Sequence, residues 1–112
     1  MQLICAVVRP FKVKDVCDAL GRFGFRGLTV TEVSGFGKQR HRPEIYRGTR
    51  YVPAFQPYAK VEIVAADTDV RDLIEVICKV ATTGRPGDGM VWVIPVVHVI
   101  GVRTGQVGAD AV

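Results

Sequence analysis

The amino-acid sequence predicts an α+β fold, and three observations lead to this prediction. Strand-like and helix-like segments follow one another as strand, helix, strand, then a long loop, then strand, helix and strand again. Each helical segment has a single apolar stripe, which is typical of a helix that packs against a sheet on one side. A chain of 112 residues with 48% hydrophobic residues is one domain, residues 1–112, with enough apolar side chains for a core.

The part of the chain before the long loop contains two strands and one helix. Residues 2–8 form an apolar run with β-branched members, which predicts a buried strand. Over residues 12–23 the apolar side chains recur at helical spacing, and Gly24 follows them as glycine does at a helix C-terminus. Residues 28–33 alternate and are rich in threonine, which predicts the second strand.

The part after the loop repeats this order. Residues 60–66 read as a strand, and the acidic start at residues 67–69 opens a helix whose inner face carries apolar side chains. A glycine-rich connector over residues 82–89 leads to a last strand from Val91 to about Ile100, in which His98 is expected to be structural. Because Pro95 lies inside that run and cannot donate to a ladder, the last strand is expected at a sheet edge.

Two such halves fold most simply as a ferredoxin-like βαββαβ sandwich, a four-stranded antiparallel sheet with both helices on one face. A single chain would leave the other face of the sheet bare, so we expect the protein to form oligomers.

The long loop carries the net charge of the protein. Between residues 35 and 51, five basic residues face one acidic residue, and the resulting charge of +4 equals that of the whole chain. A basic loop on a neutral scaffold indicates a contact surface for a partner. No recognition helix or aromatic platform accompanies the loop, so nucleic-acid binding is not expected. Its two tyrosines, Tyr46 and Tyr51, have no apolar pattern to bury them and suggest a modification site or a partner contact.

The sequence argues against several other classes of protein. The connector Gly84-Arg85-Pro86-Gly87-Asp88-Gly89 begins like a phosphate-binding loop, but Met90-Val91 follows where Lys-Ser/Thr belongs, so an ordinary turn is favoured. The three cysteines have no paired or metal-type spacing and are expected to be small buried hydrophobic residues. No catalytic triad or metal site is apparent, so an enzyme is not expected. The N-terminus does not resemble a signal peptide and no apolar run could span a bilayer, so a cytoplasmic protein is expected.

Five segments together resemble the PII signal-transduction proteins of nitrogen metabolism. They are Arg-Pro-Phe-Lys at residues 9–12, Leu-Thr-Val-Thr-Glu-Val-Ser-Gly-Phe-Gly at 28–37, Glu-Ile-Tyr-Arg-Gly at 44–48 with Tyr51, Thr-Gly-Arg-Pro-Gly-Asp-Gly at 83–89, and Val-Arg-Thr-Gly at 102–105. The resemblance implies a homotrimer with nucleotides bound in the clefts between subunits. It also implies a T-loop at about 38–55, a B-loop at about 82–90 and a C-terminal loop at about 101–112.

The resemblance further implies what the protein binds. The T-loop would dock on ammonium transporters or on enzymes and regulators of nitrogen assimilation, which would bring the protein to the membrane through a transporter. Tyr51 would be the target of a uridylyl- or adenylyltransferase, and Arg42, Arg47, Arg50 and Tyr51 are the expected partner contacts. Carried over by position, the nucleotide-binding residues are Val7, Thr29, Gly35, Gly37, Lys38, Gln39, Glu62, Val64, Pro86, Gly87, Asp88, Gly89 and Arg103.

Three positions depart from the family pattern. Tyr58 and Met90 stand where lysine is usual, and Gly101 stands where arginine is usual. All three family residues face the phosphates, and each charge-assisted hydrogen bond lost weakens binding by about 1.5–3 kcal/mol. We therefore expect weakened binding of Mg-ATP and 2-oxoglutarate, with AMP or ADP favoured as the effector.

Two alternatives follow from these departures. The chain could be a PII-like sensor in another pathway, such as carbon or metal-linked transport, that reads AMP, ADP or a different ligand. A slow ATPase is disfavoured, because Tyr58 and Met90 cannot stabilise the charge of phosphoryl transfer.

Overall fold

The computed structural model describes residues 1–25, 27–36, 44–46, 49–51 and 55–112. Its six strands are β1 (Gln2–Val8), β2 (Thr29–Gly35), β3 (Glu44–Tyr46), β4 (Thr49–Tyr51), β5 (Gln56–Ala65) and β6 (Gly89–Pro95), and its two α-helices are α1 (Val13–Phe23) and α2 (Val70–Ala81). Four strands form one sheet in the order β2-β5-β1-β6, and every neighbouring pair is antiparallel. This arrangement confirms the predicted ferredoxin-like α+β fold.

One face of the sheet forms the core with the two helices. The alternate residues Ile4, Ala6 and Val8 of β1 are at most 2% exposed, and they belong to one cluster with buried residues of β5 and of both helices. Leu20 of α1 and Leu73 of α2 are completely buried in the same cluster. Because strand side chains alternate between faces, the other residues of each strand point to the face that the helices leave uncovered, which we call the open face.

Short 3₁₀ turns precede both helices. Pro10–Lys12 leads into α1, and proline at this point fits because its fixed φ matches a helical start. Gly24 ends α1 in a left-handed conformation with φ of 108°, and its N–H bonds back to Gly21 and Leu20. Asp67–Asp69 leads into α2, whose first turn carries Asp72 and whose last turn carries Lys79, as the helix dipole favours.

The last strand lies at the edge of the sheet, as Pro95 predicted, but it is shorter than expected. It ends at Pro95 instead of near residue 100, because the ladder loses a donor there. The chain continues as an irregular segment in which Ile100 bridges to Val107 and Gly108 N–H donates to the carbonyl of Val99. His98 is exposed in this segment, so its expected place in a strand was wrong.

Three further features differ from the sequence-based expectations. Strand β5 begins at Gln56, four residues before the expected start, because it continues its pairing with β2 as far as the Gly35–Gln56 pair. Strands β3 and β4 pair as an unpredicted hairpin within the long loop. Of the cysteines only Cys5 is buried, whereas Cys17 is half-buried and Cys78 is exposed.

None of the described helices is long and apolar enough to cross a membrane.

Candidate functional site

The glycine-rich connector between α2 and β6 is closed around the carboxylate of Asp88. One carboxylate oxygen accepts hydrogen bonds from the backbone N–H of Thr83 at 2.7 Å, from the backbone N–H of Gly84 at 3.0 Å and from the Thr82 hydroxyl at 3.3 Å. The other oxygen accepts from the Thr83 hydroxyl. Hydrogen bonds from the Thr83 side chain and backbone, with a further one from Arg9, hold the pKa of Asp88 well below its usual range.

Arg9 ties this connector to the end of β1. Its Nε donates to Asp88 Oδ1 at 2.9 Å, and its Nη2 donates to the carbonyl oxygen of Pro86 at 2.9 Å. Both side chains of the ion pair are 23% exposed, so water screens the pair less than it would a fully exposed one. The connector is therefore held by one carboxylate and one guanidinium, and the N–H groups of Thr83 and Gly84 are already bonded to Asp88.

Tyr58 holds the other side of the connector. Its side chain is 9% exposed, and its hydroxyl donates a hydrogen bond of 3.1 Å to the carbonyl oxygen of Gly87. Tyr58, at a position where the resemblance implies lysine, therefore contacts the connector directly. By contrast, Met90 is 68% exposed at the start of β6.

Three of the predicted nucleotide-binding residues line a cavity of about 510 Å³ beside the connector, which we call the connector cleft. They are Val7, Asp88 and Gly89, and Met90 lies beside them. The C-terminal end of α2 forms the opposite wall of the cleft with Ile77, Cys78 and Ala81. The wall is mostly apolar, which suits a flat aromatic group better than a polyanion.

Another three predicted residues line a separate cavity of about 980 Å³, which we call the terminal cleft. Thr29 and Glu62 are register partners on β2 and β5, and Val64 lies two residues further along β5. The C-terminal Ala111 and Val112 also border this cleft. Val7 of β1 lines the connector cleft, and Leu3 of β1, the register partner of Val64, lines the terminal cleft. These two positions are four residues apart, which corresponds to about 13 Å along the strand.

The remaining predicted residues that the structure describes lie near these two groups or in the C-terminal segment. Gly35 ends β2, where a Cβ would lie 2.7 Å from the ring of Tyr58, so any larger residue would have to displace that ring. Pro86 and Gly87 lie in the connector. Arg103 is exposed in the turn between Ile100 and Val107.

The predicted residues of the long loop can be followed only in part. Gly37, Lys38, Gln39, Arg42 and Arg47 lie outside the described residues. The backbone of Arg50 and Tyr51 forms part of β4.

Gly101, at a position where the resemblance implies arginine, fits the geometry of the C-terminal turn. Its N–H donates to the carbonyl of Gln106 at 2.8 Å, and its carbonyl accepts from Gly105 N–H at 2.9 Å. A Cβ at this position would lie 2.9 Å from the hydroxyl oxygen of Thr104, which itself bonds to Gln106. An arginine at position 101 would therefore require Thr104 to move.

The middle of the open face holds a small polar group. Lys60 Nζ lies 4.0 Å from Glu62 Oε1 and 5.9 Å from the centre of the Trp92 ring. Cys5 pairs with both Glu62 and Trp92 and is 1% exposed between them. Burial, followed by the charge of Glu62, raises the pKa of the Cys5 thiol, so this cysteine is not an activated nucleophile. Among the described residues, no cluster of histidine, cysteine or carboxylate side chains could hold a metal ion.

Sequence reasoning missed two contacts of this site. Arg9 was noticed only as part of a motif, because its partner Asp88 is 79 residues away and no local pattern connects them. Tyr58 was interpreted as the loss of a lysine, because a sequence does not show the carbonyl of Gly87 that its hydroxyl reaches.

Comparison with known proteins agrees with the resemblance. The family model for nitrogen regulatory protein P-II matches residues 1–106. The chain is 46% identical to nitrogen regulatory protein P-II of Azospirillum brasilense and 47% identical to that of Rhizobium meliloti strain 1021, in each case over 112 residues and the full length of both proteins. It is 42% identical to nitrogen regulatory protein GlnK of Escherichia coli strain K12 over 106 residues, which is 95% of each chain. The chain therefore belongs to the nitrogen regulatory protein P-II family, whose members are regulatory signal transducers and not enzymes.

Proposed function

We propose that this protein is a P-II-type regulator of nitrogen metabolism that senses an adenine nucleotide in clefts between the subunits of a homotrimer. The observation that carries the proposal is the separation of the predicted nucleotide-binding residues into two groups. Val7, Asp88 and Gly89 line the connector cleft, and Thr29, Glu62 and Val64 line the terminal cleft. One chain does not bring the two groups together, whereas the connector cleft of one copy facing the terminal cleft of another would complete the site.

The chemistry of the site favours a nucleotide with few phosphates. The connector cleft is mostly apolar, its Met90 carries no charge, and the N–H groups of Thr83 and Gly84 are bonded to Asp88. Of the charged groups that the resemblance implies for the phosphates, Arg103 remains in the described part of the chain. We propose that AMP or ADP is the effector and that binding of Mg-ATP and of 2-oxoglutarate is weakened.

Titration calorimetry with AMP, ADP, and Mg-ATP with and without 2-oxoglutarate tests the choice of ligand. We expect AMP or ADP to bind more tightly than Mg-ATP, and 2-oxoglutarate to leave the Mg-ATP affinity unchanged. The variant Met90→Lys should tighten Mg-ATP by about tenfold or more, because it adds one charge-assisted hydrogen bond worth about 1.5–3 kcal/mol. Gly21→Lys is the matched control, because it adds the same charge at an exposed position that lines neither cleft, and it should leave the Mg-ATP affinity unchanged. Tight Mg-ATP binding that 2-oxoglutarate enhances would refute the proposed preference.

The output of the regulator would be the basic loop at about 38–55. Its charge is the main support for this assignment, because a basic surface attracts and orients an acidic partner. We propose that Arg42, Arg47, Arg50 and Tyr51 contact a partner in the cytoplasm or at the cytoplasmic side of an ammonium transporter. We also propose Tyr51 as the residue that a uridylyl- or adenylyltransferase would modify.

Affinity capture from cells grown with limiting and with abundant nitrogen tests this output. Wild-type protein should retain an ammonium transporter or a nitrogen-assimilation regulator, and Arg47→Glu with Arg50→Glu should release it. As the control, Arg22→Glu with Arg71→Glu changes the same charge at exposed positions of α1 and α2 and should not release the partner. Intact mass measured with Tyr51→Phe as the control would detect a nucleotidyl group on Tyr51.

A second candidate function is a P-II-type sensor in another pathway, such as carbon or metal-linked transport. Two contacts favour it: the hydrogen bond from Tyr58 to the connector and the turn closed by the backbone of Gly101. Both use residues of this chain at positions where the resemblance implies lysine and arginine for the phosphates. Capture of a transporter for another solute in the same experiment, with no nitrogen-related partner, would support this candidate over the first.

A further inference from the structure

Tyr58 makes two contacts that join separate parts of the site. Its hydroxyl donates to the carbonyl oxygen of Gly87 in the connector, at 3.1 Å. Its ring lies so close to Gly35 that a Cβ there would be 2.7 Å from both Cδ2 and Cε2. Gly35 is the last residue of β2, and the long loop follows it. The ring and hydroxyl of one side chain therefore span from the connector to the start of the long loop.

Both ends of this span are well placed to transmit a displacement. On the connector side, Arg9 and Asp88 hold the segment that contains Gly87, so the segment would move as a unit. The Tyr58 side chain between these two ends is nearly buried and has only two side-chain torsions. A displacement at one end should therefore move the ring and not be absorbed by a change of rotamer.

On the loop side, a pair of aromatic rings follows Gly35. The rings of Phe36 and Phe55 lie 5.4 Å apart at an interplanar angle of 54°, and these two residues border the long loop on either side. The pair is a favourable tilted aromatic contact that holds the two ends of the loop together. We call Phe36, Phe55 and the Gly35–Gln56 pair the stem of the long loop. A shift of Gly35 changes the position of Phe36 and so of this stem.

We propose that Tyr58 is a positioning residue that couples the connector to the stem, so that a change at Gly87 alters the stem of the long loop. The proposal rests on the proposed function for its biological meaning, because the connector would contact the nucleotide and the loop would contact the partner. The coupling itself is a property of the ligand-free chain. It can be measured whether or not a nucleotide binds.

Hydrogen–deuterium exchange on the ligand-free, full-length protein tests the coupling from the connector side. Tyr58→Phe removes only the hydroxyl and keeps the ring against Gly35. We expect amide exchange to become about two- to tenfold faster in the connector, since the hydrogen bond to Gly87 is lost, and also faster in the stem, which the ring contacts at Gly35. An increase confined to the connector, or no change in either segment, would overturn the proposal.

Gly35→Ala tests the same coupling from the opposite side. Its Cβ would displace the ring of Tyr58, so exchange should rise in the connector although no atom of the connector is altered. An unchanged connector in a folded Gly35→Ala protein would also overturn the proposal, and if this variant does not fold, Tyr58→Phe decides alone. Thr68→Val, which removes an exposed hydroxyl in the 3₁₀ turn after β5, should change neither segment.

Addition of ADP separates this inference from the proposed function. If ADP binds, it should slow exchange in the stem of the wild-type protein, and Tyr58→Phe should bind ADP yet lose that protection. Stem protection that persists in Tyr58→Phe would count against the coupling. If wild-type protein binds no nucleotide, the proposed function fails, and the ligand-free measurements still decide whether Tyr58 couples the two segments.

Discussion

Asp88 shows how a single side chain can organise a loop that its local sequence leaves undefined. The hydrogen bonds from Thr83, from Arg9 and from Gly84 all stabilise the ionised carboxylate, so the pKa of Asp88 is lowered in the folded protein. A group with a lowered pKa stabilises the fold fully above its unfolded value, which is about 3.9 for aspartate. That stabilisation is lost only as the pH falls through the lower, folded value. The connector should therefore keep its structure in mild acid.

An NMR titration of the Thr83 and Gly84 amides tests this expectation. Both N–H groups donate to Asp88, so their chemical shifts report its protonation. We expect the titration midpoint to lie clearly below about 3.9. In Asp88→Asn the transition should disappear, because no carboxylate remains to titrate. A midpoint at or above the ordinary aspartate value in the wild-type protein would contradict the hydrogen-bonded arrangement.

At the scale of elements, the junction between the connector and β6 depends on one glycine. Gly89 has φ of 116° and pairs with Val8 at the end of the sheet, where a Cβ would lie 1.8 Å from the carbonyl oxygen of Val7. That oxygen belongs to the backbone of a central strand and cannot move aside without disturbing the ladder. Gly84 also has a positive φ, of 80°, but a Cβ there would meet nothing within 4 Å. A side chain at Gly84 would therefore meet backbone strain alone, whereas one at Gly89 would meet backbone strain and a steric clash.

Alanine substitutions at these two glycines should differ strongly in their cost. Gly84→Ala carries only the conformational penalty and should lower the free energy of unfolding by about 1–2 kcal/mol. Gly89→Ala adds a collision with the backbone of β1 and should cost at least ~4 kcal/mol, a large part of the stability of a domain this size. Urea denaturation followed by circular dichroism measures both values. Equal losses for the two variants would show that the junction tolerates a side chain.

The elements also show which parts of the structure a sequence can predict. Periodicity identified α1 and α2 within one to three residues, and Pro95 correctly placed β6 at an edge, because both signals are local. The extra length of β5 was missed, since its pairing with β2 up to Gly35 depends on a partner strand. Two contacts of the site, Arg9 with Asp88 and Tyr58 with Gly87, join distant parts of the chain. A local sequence pattern could therefore not predict them. The candidate site was thus predictable as a set of motifs but not as a geometry.

At the scale of the whole molecule, the open face of the sheet is the main apolar surface that the single chain leaves uncovered. Leu3, Val64 and Ile94 form one row across β5, β1 and β6, and none of them faces the helices. Ile94 is 44% exposed, and apolar side chains of the C-terminal segment, Val97 and Ile100 among them, are exposed as well. Covering such a surface with other copies of the chain removes apolar area from water. The homotrimer that we propose would cover this surface in that way.

A charge placed in this row should therefore prevent assembly. Sedimentation velocity should show wild-type protein as an assembly of several chains and Ile94→Glu as monomers, because burying an unpaired carboxylate costs several kcal/mol. Val30→Glu is the matched control: Val30 is an aliphatic strand residue with 42% exposure, but it pairs with the core residue Val61 and so lies on the side of the helices. The control should sediment like the wild-type protein.

If the clefts are completed by assembly, Ile94→Glu should lose nucleotide binding along with the oligomer, whereas Val30→Glu should keep both. A monomeric Ile94→Glu that binds the nucleotide with unchanged affinity would show that the site lies within one chain.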